Sequence, residues 1–144
     1  MNDRIGEHLK VQRSALNILV QRQEMIASNI ANAESLVTPE GGPYRRKEVT
    51  FATVMKDAAS ADSRAGGIGG ITVASIRTSN EPLKTVYDPQ HPMANKDGFV
   101  QMPNVNVTKE MVDMVAAQRS YEANLSAMKA YREIMRSSLS ILKR

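Results

Sequence analysis

Apolar positions near the N-terminus recur in steps that alternate between four and three residues. We call this row the first seam, and it comprises Ile5, Leu9, Gln12, Leu16, Leu19, Gln23, Ile26 and Ile30. Alternating steps of four and three are the heptad spacing of a coiled coil, which is narrower than the apolar stripe of an ordinary core helix. The pattern therefore predicts an N-terminal helix over residues 1–33 that packs lengthwise against another helix.

The C-terminal part of the chain has the same spacing over a longer distance. This second seam comprises Val107, Met111, Met114, Gln118, Tyr121, Leu125, Met128, Arg132, Met135, Leu139 and Leu142. It predicts a C-terminal helix within residues 105–144. Asn104 and Asn106 are candidate N-caps, and Glu110 is placed close to the positive end of the helix.

The middle of the chain, residues 34–104, has a different character. All six Pro and seven of the eight Gly lie between Pro39 and Pro103. Runs that favour strands are bounded by these residues, and they cover 44–51, 71–79, 83–88 and 98–102. Residues 58–70 are small and polar, which indicates a mobile loop.

These three parts predict the fold class, which is mainly α with a small β-containing middle. The first helix enters the middle and the second leaves it, so the simplest packing is an antiparallel coiled-coil hairpin with short strands and loops at one tip. The predicted divisions are an N-terminal helix at 1–33, a central strand and loop region at 34–104, and a C-terminal helix at 105–144.

Polar residues interrupt both seams, namely Gln12, Gln23, Gln118 and Arg132. Two interpretations remain open. They are solvent-facing lapses in an imperfect pattern, or they fix register and partner choice as a buried Asn does in coiled coils. The second seam also holds four Met, which either fill a core or present an adaptable surface to partners that differ from one another.

The segment "IASNIANAES", residues 26–35, sets Asn29 and Asn32 where the first helical pattern ends. One interpretation is that both amides satisfy carbonyl groups at the end of the helix. The interpretation we favour uses the surrounding small residues, which leave room for another backbone. It predicts that Asn29 and Asn32 form hydrogen bonds across a close contact between subunits.

Residues that carry out catalysis or bind cofactors are not arranged in any recognisable pattern. The chain has no Cys, and neither His8 nor His91 has a second ligand at metal-binding spacing. The "GGIGG" segment at 66–70 lacks the Lys of a phosphate-binding loop. No nucleophile motif accompanies the acidic residues of the middle. We therefore expect no enzyme activity, no metal and no cofactor.

The net charge of +4 raises the possibility of nucleic-acid binding. Residues 105–144 hold seven basic and four acidic groups, so the excess lies where it opposes the negative end of a helix dipole. We therefore expect no nucleic acid as partner. No run approaches the ~20 apolar residues of a membrane span, and the N-terminus lacks the pattern of a cleavable signal peptide.

The residues alone allow four function classes to be ranked. The first is a structural protein that presents unfinished helical seams to its partners. The alternative is a cytoplasmic helical adaptor that binds a coiled-coil partner, although a middle rich in Pro and Gly counts against it. A small nucleic-acid binder comes third, and an enzyme ranks last.

Three segments together resemble the flagellar rod, hook and hook-associated proteins. The segment "IASNIANAES" resembles their N-terminal signature, and "EMVDMVAAQRSYEANLSAMKAYREIMRSSLSIL" resembles their shared C-terminal helix. Between them, "GGPYRRKEVTF" and "VYDPQHPMANKDGFVQMPNVNV" resemble one member of the family, a subunit of the proximal rod. Phe99 stands where that member is expected to have Tyr.

The resemblance implies a structural subunit of the flagellar basal body that is exported through the flagellar type III apparatus without a cleaved signal. It would assemble in the periplasm with copies of itself and with FlgB, FlgF, FlgG and FliE. The candidate subunit-interface residues are Leu9, Leu16, Leu19, Ile26, Asn29, Ile30, Asn32, Met111, Met114, Gln118, Tyr121, Leu125, Met128, Met135, Leu139 and Leu142.

Overall fold

The structure, a computed structural model, describes residues 2–55 and 68–142. Its elements are α1 (Asn2–Ala31), β1 (Lys47–Met55), β2 (Ile68–Thr78), β3 (Lys84–Tyr87), β4 (Phe99–Met102) and α2 (Val107–Leu142). The prediction of a mainly helical chain with a small β-containing middle is confirmed, and each of the four strand-favouring runs overlaps a strand, although β1 extends beyond the end of its run and β2 begins before its run. Of the predicted loop 58–70, residues 58–67 lie outside the described residues, and Ile68–Gly70 belong to β2.

The start of α2 is capped by one of the two predicted residues. The side-chain oxygen of Asn106 accepts a hydrogen bond from the backbone N–H of Lys109 at 3.2 Å, which is the expected N-cap arrangement. The prediction for Asn104 is wrong. Its amide oxygen accepts from the backbone N–H of Arg46 at 2.7 Å, and its amide nitrogen donates to the carbonyl of Glu81 at 3.1 Å. Asn104 therefore joins two loops of the middle.

The strands form two separate antiparallel hairpins. In the first, β1 pairs with β2 from Lys47 opposite Thr78 to Met55 opposite Ile68, with two irregularities in register. In the second, β3 pairs with β4 from Lys84 opposite Met102 to Tyr87 opposite Phe99. Both sheets are two-stranded, and such hairpins are marginally stable alone, so each depends on the residues packed around it.

Helix α1 contacts both the first hairpin and α2. The backbone N–H of Ile71 in β2 donates to the Ser14 hydroxyl at 3.1 Å. Ser14 is about 22 Å along the helix from Asn29, at 1.5 Å per residue. The first hairpin therefore runs beside α1, and the prediction that all strands sit at one tip is wrong for it. Hydrogen bonding from β2 to a serine within the helix holds it there.

The face of α2 that is turned inwards begins one residue earlier than the second seam predicts. Glu110 is 1% exposed and Ala117 2% exposed, whereas Met111 is 54% exposed and Gln118 is also exposed. The pattern returns to the predicted phase further along, where the half-buried residues include Met114, Tyr121, Leu125, Met128 and Met135. Pairing of α1 and α2 as a coiled coil over their whole length stays a prediction.

The polar residues of the seams have different surroundings. Gln118 and Arg132 are exposed, which favours the solvent-facing interpretation for these two. Gln23 is half-buried. The side-chain oxygen of Gln12 is shielded from solvent and finds no hydrogen-bond partner among the described residues. Leaving the amide oxygen of Gln12 shielded from water without a hydrogen bond costs free energy of folding.

The second hairpin presents two aromatic rings on its outer face. Tyr87 and Phe99 are paired across the strands with ring centres 5.2 Å apart in an edge-to-face arrangement. They are 65% and 41% exposed, while Val100, on the opposite face of β4, is 1% exposed. Alternation along the strand accounts for this difference. Among the described elements, β3 and β4 contact only each other.

Position 98, next to Tyr87, accommodates only a glycine without strain. Its φ is +79°, and a Cβ at this position would lie 2.9 Å from the Tyr87 ring and 3.1 Å from Pro89 Cβ. We expect Gly98→Ala to lower the free energy of unfolding by about 1–3 kcal/mol, measured by urea denaturation. Gly41→Ala is the matched control, since φ is +89° there but nothing lies within 4 Å of the added Cβ. Equal losses for the two variants would contradict a steric role for Gly98.

Candidate functional site at the helix junction

The site with the most specific geometry is a buried polar cluster at the end of α1, which we call the helix junction. Its centre is Asn29, which is 1% exposed. Its amide nitrogen donates to the carbonyl of Lys47 at 3.0 Å and to Glu110 Oε2 at 3.1 Å. Its oxygen accepts from the Tyr44 hydroxyl at 3.0 Å and from the Lys47 N–H at 2.9 Å. Both donors and both acceptor positions of the amide are used within one chain.

Glu110 supplies the only fully buried carboxylate in the described part of the chain. Its Oε1 accepts a hydrogen bond from Arg46 Nε at 2.6 Å, and Arg46 also pairs with the more exposed Glu48. A carboxylate removed from water needs such a partner, because its desolvation is otherwise uncompensated. The pair ties the first turn of α2 to the residue that precedes β1.

The guanidinium of Arg46 is held in its charged form. Burial lowers the pKa of Arg46, but the hydrogen bond and the negative charge of Glu110, with smaller contributions from Glu48 and Asp113, outweigh burial and raise this pKa above its ordinary value. A raised pKa means that the stabilisation is complete below the ordinary pKa of arginine and is lost only in strongly alkaline solution. The arginine end of the pair therefore does not titrate near neutral pH.

The chain reaches this arrangement through a tight turn after α1. The amide nitrogen of Asn32 donates to the carbonyl of Ser28 at 2.9 Å, and its oxygen accepts from the Ser35 hydroxyl at 3.2 Å. The Tyr44 N–H then donates to the carbonyl of Ser35 at 2.9 Å, which returns the chain to the helix end. Asn32 bonds to the carbonyl of Ser28 as the helix-end interpretation predicts, whereas Asn29 forms its hydrogen bonds with groups of its own subunit. Hydrogen bonding of either amide across a contact between subunits stays a prediction.

The predicted interface residues differ in how far they are exposed to solvent. Ile26 and Asn29 are buried, and Met111 and Gln118 are exposed. The half-buried members are Leu16, Leu19, Ile30, Asn32, Met114, Tyr121, Leu125, Met128 and Met135. The side chains of Leu9, Leu139 and Leu142 lie outside the described residues. Contact between any of these residues and a neighbouring subunit stays a prediction.

Three residues of the junction were not predicted as site residues, namely Tyr44, Arg46 and Glu110. The sequence placed Glu110 only near the positive end of α2, because the second seam assigned the inward position to Met111 instead. A cavity of about 320 Å³ adjoins the junction and is lined by charged and apolar side chains, including Arg22 and Asp113. The described residues form no group of three or more metal-ligating side chains. The hydrogen bonds of the junction connect α1, β1 and α2 to one another.

Comparison with protein families finds two matches, one at each end of the chain. The family of flagella basal body rod proteins matches residues 9–34, and the C-terminal family of flagellar basal body rod FlgEFG proteins matches residues 96–141. The first range contains Asn29 and the second contains Glu110. The helix junction therefore joins a residue from each of the two matched ranges.

Full-length relatives extend these matches across the middle of the chain. The flagellar basal-body rod protein FlgC of Borreliella burgdorferi is 41% identical, covering 94% of this chain and 95% of the relative. FlgC of Salmonella typhimurium is 41% identical, covering 89% of this chain and 90% of the relative. FlgC of Bacillus subtilis is 38% identical, covering 94% of this chain and 96% of the relative. The chain belongs to the FlgC family.

Members of the FlgC family are structural subunits of the flagellar basal-body rod, and this chain is one of them. It serves bacterial motility and is not an enzyme. The assignment favours the rod subunit over the helical adaptor and the nucleic-acid binder. Across residues 2–55 and 68–142, neither helix combines the length and the apolar content needed to cross a membrane.

Proposed function

We propose that the chain polymerises with copies of itself and with other rod proteins through the exposed faces of its terminal helices, as part of the proximal rod. Flagellar type III export without a cleaved signal would deliver it to the periplasm, where FlgB, FlgF, FlgG and FliE would be its neighbours. The observation that carries the proposal is the exposure of α2, which has no buried residue after Ala117 among those described.

A helix that remains exposed along most of its length gains little from its own chain. Helices in proteins depend chiefly on tertiary packing for their stability. Met111, Val112 and Val115 are 54%, 65% and 49% exposed on the first turns of α2. Packing against neighbouring subunits would cover these side chains and complete the environment that α2 lacks.

A shaft also requires contacts that do not close on themselves. Two-fold contacts give dimers, whereas head-to-tail contacts between different faces generate helical polymers. The helix junction suits such a shaft, because the buried Glu110–Arg46 pair holds the helices and the first hairpin in one orientation. Torque applied to the helices would thus reach the middle of the subunit through a rigid connection.

In the isolated monomer, we expect the parts of the helices distant from the junction to be mobile and to become ordered on assembly. The reason is the contrast between the buried junction and the exposed remainder of α2. Hydrogen exchange on dilute monomer should find slow exchange around Asn29 and Glu110 and fast exchange after Tyr121. Strong protection along both terminal helices would contradict this expectation.

A cryo-electron map of isolated basal bodies tests the proposed location directly. Density for this chain in the proximal rod, with its terminal helices against neighbouring subunits, is the expected result. Density in another part of the basal body, or helices that face solvent in the assembled rod, would overturn the proposal.

A further inference from the structure

The second hairpin and its connecting turn, residues 84–102, form an arm whose backbone lies away from that of the other described helices and strands. The arm carries Tyr87 and Phe99 on its outer face and Met93, 51% exposed, in the turn. Aromatic side chains supply much of the binding energy at protein interfaces when they enter a pocket. Leaving two of them in water therefore indicates a surface that another molecule covers.

The turn of the arm is held in shape by hydrogen bonds of its own. The side-chain oxygen of Asn95 accepts hydrogen bonds from the N–H groups of Asp97 and Phe99, at 3.0 and 2.9 Å. The Met93 N–H donates to His91 Nδ1 at 3.1 Å, and the Asp88 N–H donates to the carbonyl of Gly98 at 2.9 Å. A preformed turn has little conformational entropy to lose on binding.

A pocket of matching chemistry lies between α1 and the first hairpin. Its walls are Met25, Val49, Val73 and Ile76, and its volume is about 260 Å³. Ile76 is 57% exposed there. A cavity of about 150 Å³ is enough to hold benzene, so one aromatic ring fits. Gln21 and Glu24 add polar groups at its rim.

We propose that Tyr87 on the arm of one subunit enters this pocket on a second copy of the chain. The ring would contact the apolar walls, and its hydroxyl would remain beside the polar groups of Gln21 and Glu24, which is the arrangement that suits a tyrosine at an interface. Lys96 on the arm also offers a charge opposite to that of Glu24.

The arm that enters the pocket belongs to a second copy of the chain, because the arm of the same chain does not reach it. The pocket is formed by α1, β1 and β2, and no residue of the arm lines it in its own subunit. Arm and pocket are different surfaces, so their contact is heterologous and extends into a polymer. The inference rests on the proposed function as a polymerising rod subunit and adds a contact outside the terminal helices.

Cysteine crosslinking in assembled basal bodies tests the contact, and the chain has no Cys of its own to interfere. Two differently tagged copies would be expressed together, one carrying Met93→Cys on the arm and the other Gln21→Cys at the pocket rim. Basal bodies would then be isolated and treated with a short bismaleimide. The matched control replaces Gln21→Cys with Ser126→Cys, an exposed position on α2.

The expected result is a product that contains both tags, at about tenfold the yield of the control pair. Adding Tyr87→Ser to the arm should lower that yield to the control level, while Tyr87→Phe should retain most of it. Equal yields from the two pairs, in basal bodies that contain both tagged copies, would overturn the contact and leave the rod function intact. Crosslinking of the arm to a different rod protein would overturn the choice of a second copy. Absence of the unmodified chain from basal bodies would contradict the proposed function and the contact together.

Discussion

Replacing Glu110 with alanine is expected to lower the free energy of unfolding by about 3–5 kcal/mol, which is the usual cost of removing one partner of a buried ion pair. The substitution leaves Arg46 without its buried carboxylate and removes the acceptor of one Asn29 N–H. Urea denaturation followed by circular dichroism measures the change. We expect the helix junction to lose its hydrogen-exchange protection in the same variant.

Glu122→Ala is the matched control, because it removes the same side chain from an exposed position on the same helix. Its effect should stay within about 0.5 kcal/mol. A double-mutant cycle with Arg46→Ala separates the pair from general packing, since the two substitutions should be strongly non-additive. Losses for Glu110→Ala no larger than for Glu122→Ala would show that the junction does not hold the helices.

Met128→Asp is expected to abolish incorporation into the rod and swimming motility. Met128 is half-buried on the inward face of α2, far along the helix from the junction. A carboxylate placed in an apolar contact is costly without a partner. Leu125→Asp, three residues away on the same face of the helix, should have the same effect. Immunoblots of isolated basal bodies and swimming assays measure both outcomes.

Met128→Leu is the control for this prediction, because it keeps an apolar side chain of similar volume at the same half-buried position. It should leave motility close to that of the unmodified protein. Full motility of Met128→Asp would contradict the assignment of this face of α2 to a packed contact.

The elements of the fold were predictable because each rests on a local pattern. The absence of Pro and the recurring apolar spacing predicted both helices, and bounded strand-favouring runs predicted all four strands. The position of the first hairpin was not predictable in this way. It depends on a hydrogen bond from Ile71 to Ser14, residues 57 apart in sequence, and neither residue carries a local signal of that contact.

The helix junction was predictable only in part. The unusual placement of Asn29 and Asn32 indicated that their amides have partners, and for Asn32 the partners are local, at Ser28 and Ser35. The partners of Asn29 come from two distant segments, residues 44–47 and the start of α2, so sequence alone left them open. Glu110 was expected at the positive end of a helix, and only the fold reveals Arg46 opposite it.

The hydrogen bond between Asn29 and Glu110 joins residues that are 81 positions apart. Closing so long a loop is slow, since its entropic cost precedes the gain from the contact. The network therefore cannot form until Asn29 and Glu110 are both free to meet, so closure at Asn29 marks the moment at which at least residues 29–110 have become available to fold.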